Sequence, residues 1–176
     1  MLTQREFYYL RHGETDHNVL GLVHHGDISI NERGKRQAEK IIRLIGSLPI
    51  KTICHSPMKR AKETEAIVTC ELLAHRVEIP HLAECSGDVW LEMTRLGYET
   101  YQKAEGSVLQ FIHQVKEGLN LALSHEGPVL IIAHGGVHFA MCSLMEVEDD
   151  WKIDNCVPVH FSLEESRWRA RKISLI

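Results

Sequence analysis

The chain has 176 residues, 44% of them hydrophobic and 25% charged, with a formal net charge of -4. That length is expected to form one domain with a substantial core, residues 1–176, of ordinary globular composition. The acidic balance argues against a general nucleic-acid binder, and no stretch reads as a signal sequence or a membrane span.

Residues 7–15, Phe-Tyr-Tyr-Leu-Arg-His-Gly-Glu-Thr, begin as an apolar, aromatic run that suits a buried strand. The run stops at Arg11, His12 and Gly13. Arginine offers a fork of donors matching phosphate or carboxylate, and glycine lets the backbone approach a ligand. His12, beside a fixed positive charge, could serve as a nucleophile. Taken alone, the triplet reads more readily as a basic, exposed strand end than as a site.

Residues 15–24 suggest a turn or short helix, followed by a loop with Gly21, Gly26 and Asp27. Asn31 is the expected N-cap of a helix to about residue 47, with Ala38, Ile41, Ile42 and Ile45 at helical spacing. Residues 51–56 read as a short strand. Pro57 suits the first turn of the next helix, which carries Ala61, Val68 and Leu72 inward and is expected to reach about residue 75. Residues 77–83 read as a weaker edge strand interrupted by Pro80. From 84 to 103 the pattern is irregular, with room for one short helix.

Residues 104–125 carry the clearest helical face: Val108, Phe111, Ile112, Val115, Leu119, Ala122 and Leu123. Gly127-Pro128 closes it. Residues 129–133, Val-Leu-Ile-Ile-Ala, are the continuous apolar run of a strand buried on both faces. His134-Gly135-Gly136 follows, then a helix to about 145 and two strands near 157–163 and 168–175. Alternating strands and helices predict a three-layer α/β/α sandwich around a mostly parallel sheet. Five cysteines (Cys54, Cys70, Cys85, Cys142 and Cys156), odd in number and without a CxxC pair, are expected as buried, reduced thiols of a cytoplasmic protein.

Ligands of such sheets bind beyond the carboxyl ends of the strands, near a topological switch point. The first strand ends at Arg11-His12-Gly13 and the buried fourth at His134-Gly135-Gly136. The second ends at Ser56 and leads into Arg60, and the third is expected to end at Glu84. Two histidines, two arginines and a carboxylate are thereby expected at one edge. Each has a plainer reading: a capping histidine, a solvated arginine, a surface glutamate. His134 and His138 have i, i+4 spacing, but Gly135 and Gly136 stand between them where a zinc site would carry a glutamate. No metal site is expected.

The sequence resembles the histidine phosphatase, or phosphoglycerate mutase-like, superfamily. The resemblance rests on Leu10-Arg11-His12-Gly13-Glu14-Thr15 with Asn18, on Gly26-Asp27 and Asn31-Glu32-Arg33-Gly34 with Gln37-Ala38, and on Ser56-Pro57-Met58-Lys59-Arg60-Ala61 with Thr64. Leu82-Ala83-Glu84 and Ala133-His134-Gly135-Gly136-Val137 complete it, in the family's order over most of the chain. It implies a nucleophilic His12 that forms a phosphohistidine, with Arg11, Arg60 and His134 clamping the phosphoryl oxygens. Asn18, Thr15, Gly135 and His25 would help bind substrate, and His24 is a pocket or surface residue. Glu84 would be the general acid, with Asp88 and Glu92 as neighbouring alternatives.

The resemblance further implies no cofactor and no metal, a small phosphorylated metabolite as partner, neither nucleic acid nor membrane, and a monomer or homodimer. Mutase-like members often have an aromatic residue where this chain has His17, and they are longer, so hydrolysis is expected over phosphotransfer. A mutase-type phosphotransferase and a phospho-ligand binding module without turnover are the alternatives. Substrate choice would depend on residues 20–31 and 84–103, the latter lying over the site.

Overall fold

The computed structural model describes residues 4–22, 26–147 and 152–174. In chain order, β1 (Glu6–Arg11) leads to a one-turn helix, α1 (Asp16–Val19), and then to α2 (Glu32–Lys40) and α3 (Ile42–Gly46). β2 (Thr52–His55), α4 (Lys59–Val68) and β3 (His75–Glu78) follow. A 3-10 turn over Pro80–Leu82 comes next, and the segment expected to be irregular, 84–103, is helical: α5 (Gly87–Leu96), a second 3-10 turn over Gly97–Glu99, and α6 (Thr100–Lys103). The chain ends with α7 (Gly106–Ala122), β4 (Val129–Ala133), α8 (Gly135–Leu144) and the hairpin β5 (Val159–Glu164) and β6 (Arg167–Lys172).

The sheet order is β3-β2-β4-β1-β5-β6. Pairings among β3, β2, β4 and β1 are parallel, while β1·β5 and β5·β6 are antiparallel. Side chains alternate across a strand, and the core divides accordingly. Phe7, Tyr9, Cys54, Val129, Ile131 and Ala133 enter one hydrophobic cluster; Tyr8, Leu10, Ile53, Leu130 and Ile132 enter the other. Helices α5, α7 and α8 cover the first face with Val89, Met93, Phe111, Ile112, Val137 and Phe139. Helices α2, α3 and α4 cover the second with Ala38, Ile45 and Val68. This is the three-layer α/β/α sandwich.

β1 and β4 are neighbours whose following helices pack on opposite faces, so the switch point falls between them. The ladder runs one step past β1, where His12 N–H donates to Ala133 O at 3.0 Å. Arg11-His12 and His134 are thereby held side by side.

Several expected boundaries move. Asn31 caps α2, its side chain accepting Gly34 N–H at 2.8 Å, but the helix breaks at Ile41. α4 starts after Met58, leaving Pro57 outside, and ends at Val68 rather than near 75. Arg76 reaches back past that end and donates to the carbonyls of Thr69 and Leu72, supplying tertiary partners where a longer helix would have used its own N–H groups. Leu72 still packs on the core from outside the helix. β3 lies at the edge as expected, though over 75–78, and Pro80 opens a 3-10 turn. Four cysteines are buried, but Cys70 is exposed, since it lies in the turn after α4; all five are free thiols. Among the described residues no helix is long and apolar enough to cross a membrane.

Candidate active site

His12 leaves the end of β1 with only 1% of its surface exposed. Its Nδ1 lies 2.8 Å from Gly13 O, and a carbonyl only accepts, so Nδ1 carries the proton and Nε2 the lone pair. Arg60, the second residue of α4 and 3% exposed, donates from Nε to that Nε2 at 3.3 Å. Thr64 fixes this relation. Its hydroxyl donates to Arg60 O at 2.7 Å and accepts Gly13 N–H at 2.9 Å, tying α4 to the turn behind His12. That turn packs backbone to backbone on α2: a Cβ on Gly13 would stand 2.7 Å from Gly34 O. Glycine is required at such an approach.

Arg11 is anchored from Nη1 to Ile153 O at 2.9 Å. Burial pushes the acidity constants of Arg11 and Arg60 down, and Glu84 nearby opposes that shift in both. Arg11 Nε and Arg60 Nη2 are buried donors with no hydrogen-bond partner among the described residues. A buried guanidinium N–H without an acceptor is costly, and an anion between the two would relieve both.

His134 is the N-cap residue of α8 and is fully buried, its Nε2 2.7 Å from Ser56 Oγ. Its ring centroid lies 5.2 Å from that of His12. Tyr9, under the site in the core, donates its hydroxyl to His134 O at 2.7 Å and accepts His134 N–H at 3.0 Å. Burial, with Glu84 adding to it, raises the Tyr9 phenol well above its ordinary range, so it stays a neutral donor.

Glu84 Oε2 accepts Gly136 N–H at 3.0 Å, at the amino end of α8, and Oε1 accepts its neighbour Cys85 N–H at 3.1 Å. Helix N-termini favour carboxylates in this way. Asp88 is exposed, and Glu92 is half-buried and paired with Arg95, so of the three candidate carboxylates Glu84 alone faces Arg11 and Gly135. Those residues line a cleft of about 250 Å³ with Trp90, Gly136, Lys152, Ile153 and Asp154.

The structure brings Arg11, His12, Arg60, Glu84, His134 and Gly135 together. Thr15 is 1% exposed, and its hydroxyl is used in capping α1, where it accepts Asn18 N–H at 3.3 Å. In this structure it supports the loop after β1. Asn18 closes the same cap, its Oδ1 accepting Thr15 N–H at 3.1 Å. His24 and His25 lie outside the described residues. His138 turns into the core, its ring 5.2 Å from that of Tyr9 and its nitrogens 3.7 and 3.8 Å from Cys142 Sγ. Among the described residues no three His, Cys, Asp or Glu side chains converge as a metal-holding group.

Sequence reasoning missed the supports. Asn155 donates to His12 O at 2.8 Å, 143 residues away, and to Asn18 Oδ1 at 3.3 Å, 137 residues away, with no local signal marking it. The bridging hydroxyl of Tyr9 was hidden in an aromatic run read as core, which it also is. Ser56 had a signal: it directly follows β2, on the edge where the site was expected.

Known proteins resemble this chain in sequence and in fold. The family description "Histidine phosphatase superfamily (branch 1)" matches residues 7–175. A curated relative, agropine synthesis reductase from Rhizobium rhizogenes, is 29% identical over 93% of this chain and 40% of its own length. The chain spans about two fifths of the length of the curated relatives it matches. Among solved structures, a putative α-ribazole-5'-P phosphatase from Escherichia coli superposes with TM-score 0.72 at 18% identity, covering 98% of both chains. Phosphoserine phosphatase from Entamoeba histolytica gives 0.71 at 19% identity over 97% of both, which shows a shared fold. With its motifs on consecutive strand ends and the family match running through nearly all of it, the chain belongs to the histidine phosphatase superfamily.

Proposed function

We propose that the chain is a metal-independent phosphomonoesterase acting on a small phosphorylated metabolite through a phosphohistidine on His12. The observation that carries the proposal is the pair of buried donors, Arg11 Nε and Arg60 Nη2, without hydrogen-bond partners among the described residues, beside a histidine whose Nε2 bears its lone pair. Three equatorial oxygens of a transferring phosphoryl group spread negative charge, and donors already aimed at them stabilise it without reorganisation.

In this reading the phosphate displaces the Arg60 Nε contact from His12 Nε2. That nitrogen attacks phosphorus, the P–O ester bond breaks, and the leaving oxygen takes a proton from the Glu84 carboxyl. Water then enters, gives its proton to the Glu84 carboxylate and attacks phosphorus, and the N–P bond returns its electron pair to Nε2. Arg11, Arg60 and His134 supply the positive charge and donors that a metal ion supplies elsewhere. The cleft beside Glu84, about 250 Å³, suits the organic part of a small metabolite better than a protein surface. The relatives with phosphatase names support the same class, and five free thiols suit a reducing, cytoplasmic setting.

The test is hydrolysis of p-nitrophenyl phosphate with EDTA present, by wild type and His12→Ala. Turnover that survives EDTA and falls about 10³-fold or more in His12→Ala is the expected result. A labelled phosphoenzyme, stable in alkali and labile in acid, should form in wild type alone. Turnover that persists in His12→Ala would remove the nucleophile assignment; none on any phosphate ester would remove the enzyme reading.

A further inference from the structure

Glu84 is followed by a cysteine that does more than fill space. Cys85 Sγ lies 3.6 Å from Glu84 Oε1, the same oxygen that accepts the Cys85 backbone N–H at 3.1 Å. Gly136 N–H holds the other oxygen at 3.0 Å. The three groups are in mutual contact: a Cβ on Gly136 would come within 2.3 Å of Glu84 Oε1 and 2.9 Å of Cys85 Sγ.

We propose that Cys85 is a positioning residue for Glu84, its thiol and its own N–H together gripping Oε1 so that the carboxyl group cannot rotate away from the leaving-group oxygen. The inference rests on Glu84 acting as the acid in the proposed reaction. Two donors from one residue on one oxygen, opposed by a third on the other, fix the torsion of a carboxyl group that is otherwise broad. A thiol is a weak donor, but it keeps its proton here. Burial, first, and the neighbouring carboxylate push its acidity constant far above the usual thiol value, so no thiolate repels Glu84 at neutral pH. Proton transfer in the transition state is sensitive to such alignment, whereas substrate binding is not.

The experiment compares wild type, Cys85→Ala and Cys85→Ser on a series of aryl phosphates from p-nitrophenyl to phenyl, with Glu84 intact and as Glu84→Ala. A good leaving group needs little protonation and a poor one needs much. Cys85→Ala should lower kcat/KM for phenyl phosphate about five-fold and for p-nitrophenyl phosphate less than about two-fold, steepening the dependence on leaving-group acidity. Cys85→Ser, which keeps a donor, should restore the wild-type slope. In the Glu84→Ala background the slope is already steep, and Cys85→Ala should add nothing to it.

Equal losses across the series, or the same added loss in the Glu84→Ala background, would reduce Cys85 to a packing residue and overturn the inference. That outcome leaves the phosphatase reading standing. A wild type that turns over none of the esters overturns both.

Discussion

Gly136→Ala separates the position of the acid from the integrity of the fold. A Cβ at residue 136 would stand 2.3 Å from Glu84 Oε1 and 3.1 Å from its Cδ, far inside van der Waals contact. The clash falls on the far end of a side chain, not on backbone, so Glu84 can swing aside and the fold persists. Swinging aside gives up the bond from Gly136 N–H to Oε2, now 3.0 Å. Hydrogen bonds to charged groups contribute about 1.5–3 kcal/mol. At about 1.4 kcal/mol per tenfold, losing that alignment in the transition state predicts a kcat loss of roughly 10- to 150-fold for a poor leaving group. The assay is steady-state hydrolysis of phenyl phosphate, with a thermal melt of the same preparation. The melting temperature should fall by only a few degrees, in keeping with a loss of about 1 kcal/mol. Phenyl phosphate turnover within two-fold of wild type would show that Glu84 does not depend on Gly136 and refute the placement of the acid.

Three further outcomes follow from the same contacts. Tyr9→Phe keeps the ring but removes the hydroxyl that donates to His134 O and accepts His134 N–H; urea unfolding should show a loss of about 1–3 kcal/mol, and a loss below about 0.5 kcal/mol would contradict the bridge. At pH 8 a thiol reagent should label Cys70 rapidly, and the other four only after denaturation: all four are buried, and burial raises the Cys54 and Cys156 thiols to about 12. Hydrogen bonds from Arg171, first, and from Ser162 depress the Glu164 carboxyl from 4.5 to about 2. A depressed carboxylate adds stability above its unfolded value and loses it as pH falls through the folded one. Stability curves of wild type and Glu164→Gln should therefore stand apart at pH 6 and converge between about 4.5 and 2; curves that stay parallel to pH 2 would deny the pairing.

The parts of this protein legible from one dimension are those whose cause is local. β1 and β4 are continuous apolar runs because both their faces are buried, and α7 repeats its apolar residues every third and fourth position because one side faces the sheet. The charged residues that end those strands could be read as a site because a parallel sheet delivers its strand ends to one edge. What the chain order alone left open depends on partners far away in sequence. Asp88 and Glu92 stood as alternatives to Glu84, and of the three only Glu84 meets the amino end of α8. The region after Glu84 looked irregular because the apolar faces of α5 and α6 are narrow, yet Val89, Met93 and Thr100 find buried places against the rest of the core. The end of α4 is set by Arg76, which returns over seven residues to Thr69 O, and the orientation of the loop after β1 by Asn155, a hydrogen bond across 143 residues. Periodicity records which side of an element is dry, and only the folded chain decides which donor meets which acceptor.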